Sequence, residues 1–406
     1  MIIEKRVKDF EKLGFGMFVH FGLYSVLESG EWIKHFNDIP FDQYRRLVNK
    51  FNPEKDWAKR IVSTAKAAGC KYITLTTRHH EGFSLYDTCG LNDFDAPHVL
   101  DGRDLVREFV DECNEQGIVP FFYHTLLDWS VPSYKVNFPE YLSYLRKSVE
   151  LLCKNYGKIG GIWFDGTWDK PQADWEEDAL YSLIRSYQPD MMIINNTGLL
   201  ARGALGNIEL DSVTFERGKP SAINLSDSPK YLASEMCQTF GVHWGYAAKD
   251  FNFKSLADII KDLCVCRRYG SNFLLNVGPM ANGHLRALDE AMLLALGEWT
   301  KIQNEAIYLP RPSGIELEGN PNNFILKHED SYYLFCHDIN MFGDMKYDEV
   351  SVSSRFAFEK KIKSISWLDD ESPAPFEQKD GYVTVSPDQY RYGTHYVVRV
   401  AKIEVE

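Results

Sequence analysis

From about residue 14 to residue 305, short apolar runs alternate with stretches whose apolar residues recur at helical spacing, the pattern of successive parallel βα units. The first run is GFGMFVHFG (14–22). A helix is expected to follow with Asn52 as its cap, Pro53 in its first turn, Trp57, Ile61, Val62 and Ala65 on one face, and Gly69 at its end. The strand KYITLTT (71–77) comes next, then a helix over 102–116, IVPFFYHT (118–125), a helix over 139–156 and IGGIWFDG (159–166). A helix over 174–187 leads to MMIINNT (191–197). A less regular stretch carries VTFE (213–216) and YLASEMC (231–237), and a helix over 254–269 precedes SNFLLNVGP (271–279). Eight strand candidates are enough to close an α/β fold of the (β/α)8 type, a TIM barrel. An open doubly wound sheet is the alternative, but no G-x-G-x-x-G follows the first strand.

Past a last helix at 286–305 the pattern becomes short alternating segments such as NFILKHEDSYYLFCHD, GYVTVSP and THYVVRVAKIEV, which predicts a C-terminal β-sandwich. LPRPSG (309–314) suits a linker, so the expected division is a barrel over 1–308 and a sandwich over 309–406.

The formal net charge of −13 argues against nucleic acid or an anionic membrane surface as a partner. No segment is apolar for long enough to span a bilayer, and the first residues, MIIEKRVKDFEKLGFG, carry charges where a secretory leader needs an unbroken apolar run. The eight cysteines show no C-x-x-C spacing and sit mostly in apolar patterns, as reduced core residues of a cytoplasmic protein would. An aromatic content of 14%, with nine tryptophans, leaves rings to spare for flat platforms of the kind that sugar faces pack on.

In a barrel the chemistry sits at the C-terminal ends of the strands. The polar residues closing the apolar runs are His20, His79, His80, Tyr123, His124, Asp165, Asn195, Asn196, Glu216, Glu235 and Asn276. Asp165, directly after GGIWF and beside Trp163, is the leading candidate, and its bland alternative is a helix cap. His79, His80 and Glu81 could be read as zinc ligands, but adjacent residues at a strand end are expected to point to opposite sides and no H-E-x-x-H accompanies them. Neutral imidazoles contacting sugar hydroxyls are the expectation instead, with no metal and no cofactor. No G-x-S-x-G elbow and no P-loop occur, which leaves two carboxylates plus aromatics, the equipment of glycoside cleavage.

The stretches FGMFVHFGLYSV (15–26), GEW (30–32), RHHEGF (78–83), GGIWFDG (160–166), WGYAAKD (244–250) and GSNFLLNVGPMANG (270–283) resemble the family 29 glycoside hydrolases, the α-L-fucosidases, in the right order across nearly the whole barrel region. The resemblance implies a (β/α)8-like barrel with a C-terminal β-sandwich and exo-acting removal of terminal α-L-fucose from a fucosylated oligosaccharide or glycoside, by double displacement with retention. It implies Asp165 as nucleophile and His20, Glu31, Trp32, His79, His80, Tyr123, Trp163 and Trp244 as sugar-binding residues, with the Trp244 ring near the C5 methyl group of fucose. For the acid/base, family spacing favours Glu216, with Glu235 as runner-up and Asp211 and Glu209 as outsiders. Many members carry an arginine soon after the fifth strand, where this chain reads NNTGLLARG, leaving Arg202 and Arg217 as substitutes. The competing expectations are a carbohydrate-binding relative that has lost catalysis, an α-L-glycosidase for a fucose-like sugar such as L-galactose, and a metal-dependent hydrolase.

Overall fold

In the computed structural model, which describes residues 3–197, 199, 201–341 and 351–406, eight parallel strands close into a barrel in sequence order, β1 to β8. They are β1 Phe15–Val19, β2 Tyr72–Arg78, β3 Val119–Thr125, β4 Gly161–Asp165, β5 Met192–Asn195, β6 Ser212–Glu216, β7 Ala233–Thr239 and β8 Asn272–Val277. Nearly every strand residue is buried, because one face meets the barrel interior and the other is covered from outside; the sequence therefore reads as continuous apolar runs.

Side chains alternate across each strand, so every second residue fills the interior. Phe18, Tyr72, Phe121, Tyr123, Trp163, Ile194, Cys237 and Leu274 share one cluster there, joined by Val7 and Phe10 of the helix Lys5–Leu13. Two glycines make room for the rings. A Cβ on Gly16 would lie 2.5 Å from the Tyr72 ring, and one on Gly161 would lie 2.2 Å from that of Phe121.

The helices Trp57–Ala68, Leu105–Gln116, Phe138–Asn155 and Glu177–Tyr187 follow β1 to β4 in turn. The first starts four residues later than the Asn52–Pro53 signal predicts. The Glu54 N–H is taken by the Asn282 carbonyl, residues 55 and 56 form a turn, and Asp56 becomes the N-cap position. Among the described residues no helix separates β5 from β6 or β6 from β7; loops make both connections.

The chain divides into two compact units, Met1–Lys254 with Asn272–Leu294, and Ser255–Ser271 with Ala295–Glu406. The helix Leu256–Arg268, read from the sequence as one more barrel helix, thus groups with the second unit. That unit holds a five-stranded sheet, in the order Ile362–Trp367, Val398–Val405, Ser331–His337, Phe324–His328 and Arg311–Pro312. Its three-stranded partner runs Ser354–Ala357, Tyr382–Val385, Phe376–Lys379. Leu334, Ile365, Phe356 and Val383 from the two sheets lie in one core, as a sandwich requires. No helix among the described residues is long and apolar enough to cross a membrane.

Candidate active site

The alternation that fills the barrel also decides which strand-end residues face its mouth. Trp163 points inward, so Asp165, two residues on, does too, and its carboxylate remains 15% exposed at the floor of a pocket. Its Oδ1 accepts from the Trp168 indole N–H (3.0 Å) and the Asn196 amide (3.4 Å). Its Oδ2 accepts from the Tyr123 hydroxyl (3.2 Å) and lies 3.4 Å from His80 Nε2. Burial alone would raise the pKa of this group. The hydrogen bond and charge of His80, with the Trp168 and Asn196 donors, outweigh burial and hold Asp165 below the ordinary carboxylate range.

Glu216 closes β6 on the same face. Its Oε2 accepts from the Asn196 amide at 2.6 Å, while the Asn196 Oδ1 accepts from the Thr214 hydroxyl (3.1 Å). One amide nitrogen therefore touches both carboxylates, and the bonded oxygens of Asp165 and Glu216 are at most 6.0 Å apart, the sum of the two contacts. Burial, and then the negative charge of Asp165, push Glu216 up to about 7, against smaller opposing effects from Asn196 and Arg217. Two carboxyl groups sharing one donor are thus driven in opposite directions.

Glu235 lies deeper. Thr214 is level with Glu235 and Glu216 with Cys237 in the β6–β7 pairing, so Glu235 sits one inward layer below the mouth. The Tyr72 hydroxyl and the Trp163 indole N–H (3.0 Å) each donate to one of its oxygens. Burial pushes it up to about 7 as well. Asp211 stands at the opposite end of β6, bound to Arg6, Arg185, Lys230 and the Ile193 N–H, and Glu209 pairs with Arg185.

The pocket walls are His20, Trp32, His79, Tyr123, Trp163, Trp168 and Trp244, with Phe18 and Cys237 below. His20 Nδ1 meets Asn276 Oδ1 at 2.6 Å, and the Asn276 amide donates to the Trp244 carbonyl at 2.7 Å. Because that carbonyl only accepts, the amide nitrogen faces it, and Oδ1 must accept from His20 Nδ1–H. Burial pushes His20 down to about 3, so the ring is neutral and its Nε2 is an acceptor. Burial likewise holds His79 well below the usual imidazole range, and its Nδ1 has no hydrogen-bond partner among the described residues.

The expectation that His79 and His80 point to opposite sides is corrected. Their ring centroids lie 4.2 Å apart, because β2 ends at Arg78 and the strand pleat does not extend to these two residues. His80 is held by Thr125, whose hydroxyl is 2.6 Å from Nδ1. Trp32 packs edge-on against His80 and Trp129 and lies 5.5 Å from the Trp168 ring. Glu31 is buried behind Trp244, its Oε2 accepting from the N–H groups of Trp244 (3.1 Å) and Gly245 (2.8 Å).

Neither arginine lines the pocket. Arg202 donates to the backbone carbonyls of Glu216 and Arg217. The guanidinium of Arg217 lies 4.8 Å from the Trp244 ring centroid and donates to the Val242 carbonyl. Trp168 and Trp129 were absent from the sequence candidates; the first lies three residues beyond Asp165 on a short 3-10 turn, Thr167–Asp169. Asn195 and Asn196 are separated only by the pleat. Asn195 turns outward to Glu177 and Tyr181, and Asn196 turns in to the two carboxylates.

The family model for alpha-L-fucosidase matches residues 3–305. Tissue alpha-L-fucosidase of Mus musculus is 30% identical over 349 residues, covering 77% of this chain and 73% of the relative; its Homo sapiens counterpart is 29% identical, covering 81% and 75%. The solved structure of alpha-L-fucosidase isoenzyme 1 from Paenibacillus thiaminolyticus superposes with a TM-score of 0.84 at 27% identity, covering 99% of each chain.

Proposed function

We propose that this chain, which belongs to the α-L-fucosidase family of glycoside hydrolases, removes terminal α-L-fucose from fucosylated oligosaccharides or glycosides by double displacement with retention. The observation that carries the reading is the pair Asp165 and Glu216. A retaining site needs carboxyl groups about 5–5.5 Å apart and an inverting site about 6.5–9.5 Å, to leave room for water. The ceiling of 6.0 Å set by Asn196 favours the first.

The opposed pKa values divide the labour. Asp165, ionised, attacks the anomeric carbon and forms a fucosyl ester. Glu216, which keeps its proton up to about pH 7, gives it to the departing oxygen and then, as carboxylate, takes one from the water that hydrolyses the ester. Neutral His20 offers Nε2 to a sugar hydroxyl, and His79 and Tyr123 line the same pocket. Trp32, Trp163 and Trp244 supply apolar walls for the ring and its methyl group. His80 and Glu31 act at one remove, the first on Asp165 and the second on the Trp244 backbone. The eight cysteines form no disulfide, which supports a cytoplasmic setting.

The test is hydrolysis of nitrophenyl α-L-fucoside by Asp165→Ala, Glu216→Ala and Glu235→Ala, with and without azide. Loss of turnover in Asp165→Ala, and a fucosyl azide product from Glu216→Ala alone, is the expected result. Azide rescue confined to Glu235→Ala would transfer the acid/base role there, and an inactive wild type would refute the fucosidase reading.

A further inference from the structure

Trp244 forms one wall of the sugar pocket, and its backbone is held on both sides. Glu31 accepts from the N–H groups of Trp244 and Gly245, and the Asn276 amide donates to the Trp244 carbonyl. Such bonds locate the backbone but leave the side-chain torsions free, so the direction of the indole is decided by what touches the ring. Phe18 meets it edge-on with centroids 6.0 Å apart, and His20 lies 5.2 Å away. A further contact is a cation. The Arg217 guanidinium lies 4.8 Å from the ring centroid and donates to the Val242 carbonyl at 2.6 Å. Anchored two residues before the indole that it covers, it holds that indole to its own loop.

Arg217 directly follows Glu216, the last residue of β6. Its N–H donates to the Cys237 carbonyl at 2.9 Å, the residue that pairs with Glu216 on β7. There the chain turns through φ +48°, in the left-handed region, which a residue with a Cβ occupies only at a cost. Non-glycine residues held in that region cluster at functional sites. Arg202 donates to the carbonyls of both Glu216 and Arg217, and Gly218 leaves it room, since a Cβ there would lie 2.1 Å from Arg202 Nε. The turn thus carries the Arg217 side chain across to the loop after β7. Arg217 does not line the sugar pocket itself; it acts on groups that do. Of the charges acting on Glu216, those of Asp165 and Glu31 raise its pKa and that of Arg217 lowers it.

We propose that Arg217 is a positioning residue of the hydrolysis: its guanidinium fixes the Trp244 ring against the C5 methyl group of fucose, and its backbone couples that wall to the strand end that presents Glu216. The proposal rests on the fucosidase reading. A wall held in place rewards the methyl group that fits it. A wall free to turn loses that contact, while the contacts to the sugar hydroxyls stay as they were. The same positive charge, next to the acid, favours the carboxylate form that Glu216 takes once it has protonated the leaving group.

The experiment measures kcat/KM against pH for nitrophenyl α-L-fucoside and for the analogue in which hydrogen replaces the C5 methyl group. Arg217→Ala is expected to lose about fivefold or more on the fucoside and to stay within about twofold of wild type on the analogue. Arg217→Gly, which takes the left-handed backbone without cost, should reproduce that pattern and keeps the test open if the alanine variant fails to fold. Arg217→Lys keeps the charge but not the planar stack, so its preference for the methyl sugar should fall between those of wild type and Arg217→Ala. The alkaline limb should move to higher pH in Arg217→Ala and stay in place in Arg217→Lys. Equal falls on both substrates, or an unchanged preference for the methyl sugar, would overturn the hold on Trp244. An alkaline limb that does not move in Arg217→Ala would overturn the coupling to Glu216. A wild type inert toward the fucoside would refute the fucosidase reading itself, and this role with it.

Discussion

Replacing Asn196 with alanine removes the one donor that touches both carboxylates, and its effect can be worked out in sign and size. The amide stabilises the charged form of each acid, so its loss raises both pKa values. A hydrogen bond to a charged group contributes about 1.5–3 kcal/mol, and 1.36 kcal/mol is one pKa unit, so Glu216 is expected to rise by about 1–2 units at the 2.6 Å contact. Asp165, whose contact is 3.4 Å and which keeps Trp168 and Tyr123 as donors, should rise less. In kcat/KM against pH, the alkaline limb reports Glu216 losing its proton in the free enzyme. That limb should move from about 7 in wild type to about 8–9 in the variant, with a smaller upward shift of the acidic limb. The maximum should fall about ten- to a hundredfold, since both groups lose a fixed point of orientation. The assay is nitrophenyl α-L-fucoside hydrolysis from pH 4 to pH 10, with circular dichroism to verify folding. A folded variant of reduced activity whose limbs superpose on those of wild type would refute the claim that Asn196 sets the two pKa values.

Two further outcomes are expected from the barrel interior. Glu235 is buried and its folded pKa stands at about 7 against an ordinary 4.5, so folding is penalised as pH rises from 4.5 through 7, reaching about 3 kcal/mol above that range. Glu235→Gln should abolish this loss. Wild type and variant melting temperatures should therefore diverge in the variant's favour between pH 5 and pH 8, and parallel curves would refute the assignment. Gly161→Ala would place a methyl group 2.2 Å from Phe121, an overpacking that should cost about 1–3 kcal/mol or prevent folding. An unchanged urea midpoint would refute the close-packing argument.

The strands were legible because burial on both faces leaves unbroken apolar runs, and the site was legible because a barrel gathers the polar ends of those runs at one mouth. What the runs conceal is the pleat. Glu216 terminates its strand, whereas Glu235 stops two residues short of the level of Glu216, and the register of β6 on β7 makes that offset visible. The same alternation parts Tyr123 from His124, which turns outward to within 3.3 Å of the Tyr86 hydroxyl. It fails at His79 and His80, where the strand has already ended. Trp168 escaped notice because its position depends on a turn after β4 that leaves no periodic trace. The Asn52–Pro53 signal misled because the chain makes a turn at residues 55 and 56 before the helix begins at Trp57.

Among the described residues no helix follows β5 or β6, which divides the labour of the barrel into a fixed part and an adjustable part. Asp165 ends β4, and helices follow both β3 and β4, so its position is shared with the frame that keeps the protein folded. Glu216 hangs from two loops, and Arg202, reaching across from one of them, ties its backbone in place. Substitutions along those loops can re-aim the acid without taking a single strand out of the barrel. The proton donor can therefore drift while the nucleophile keeps its footing.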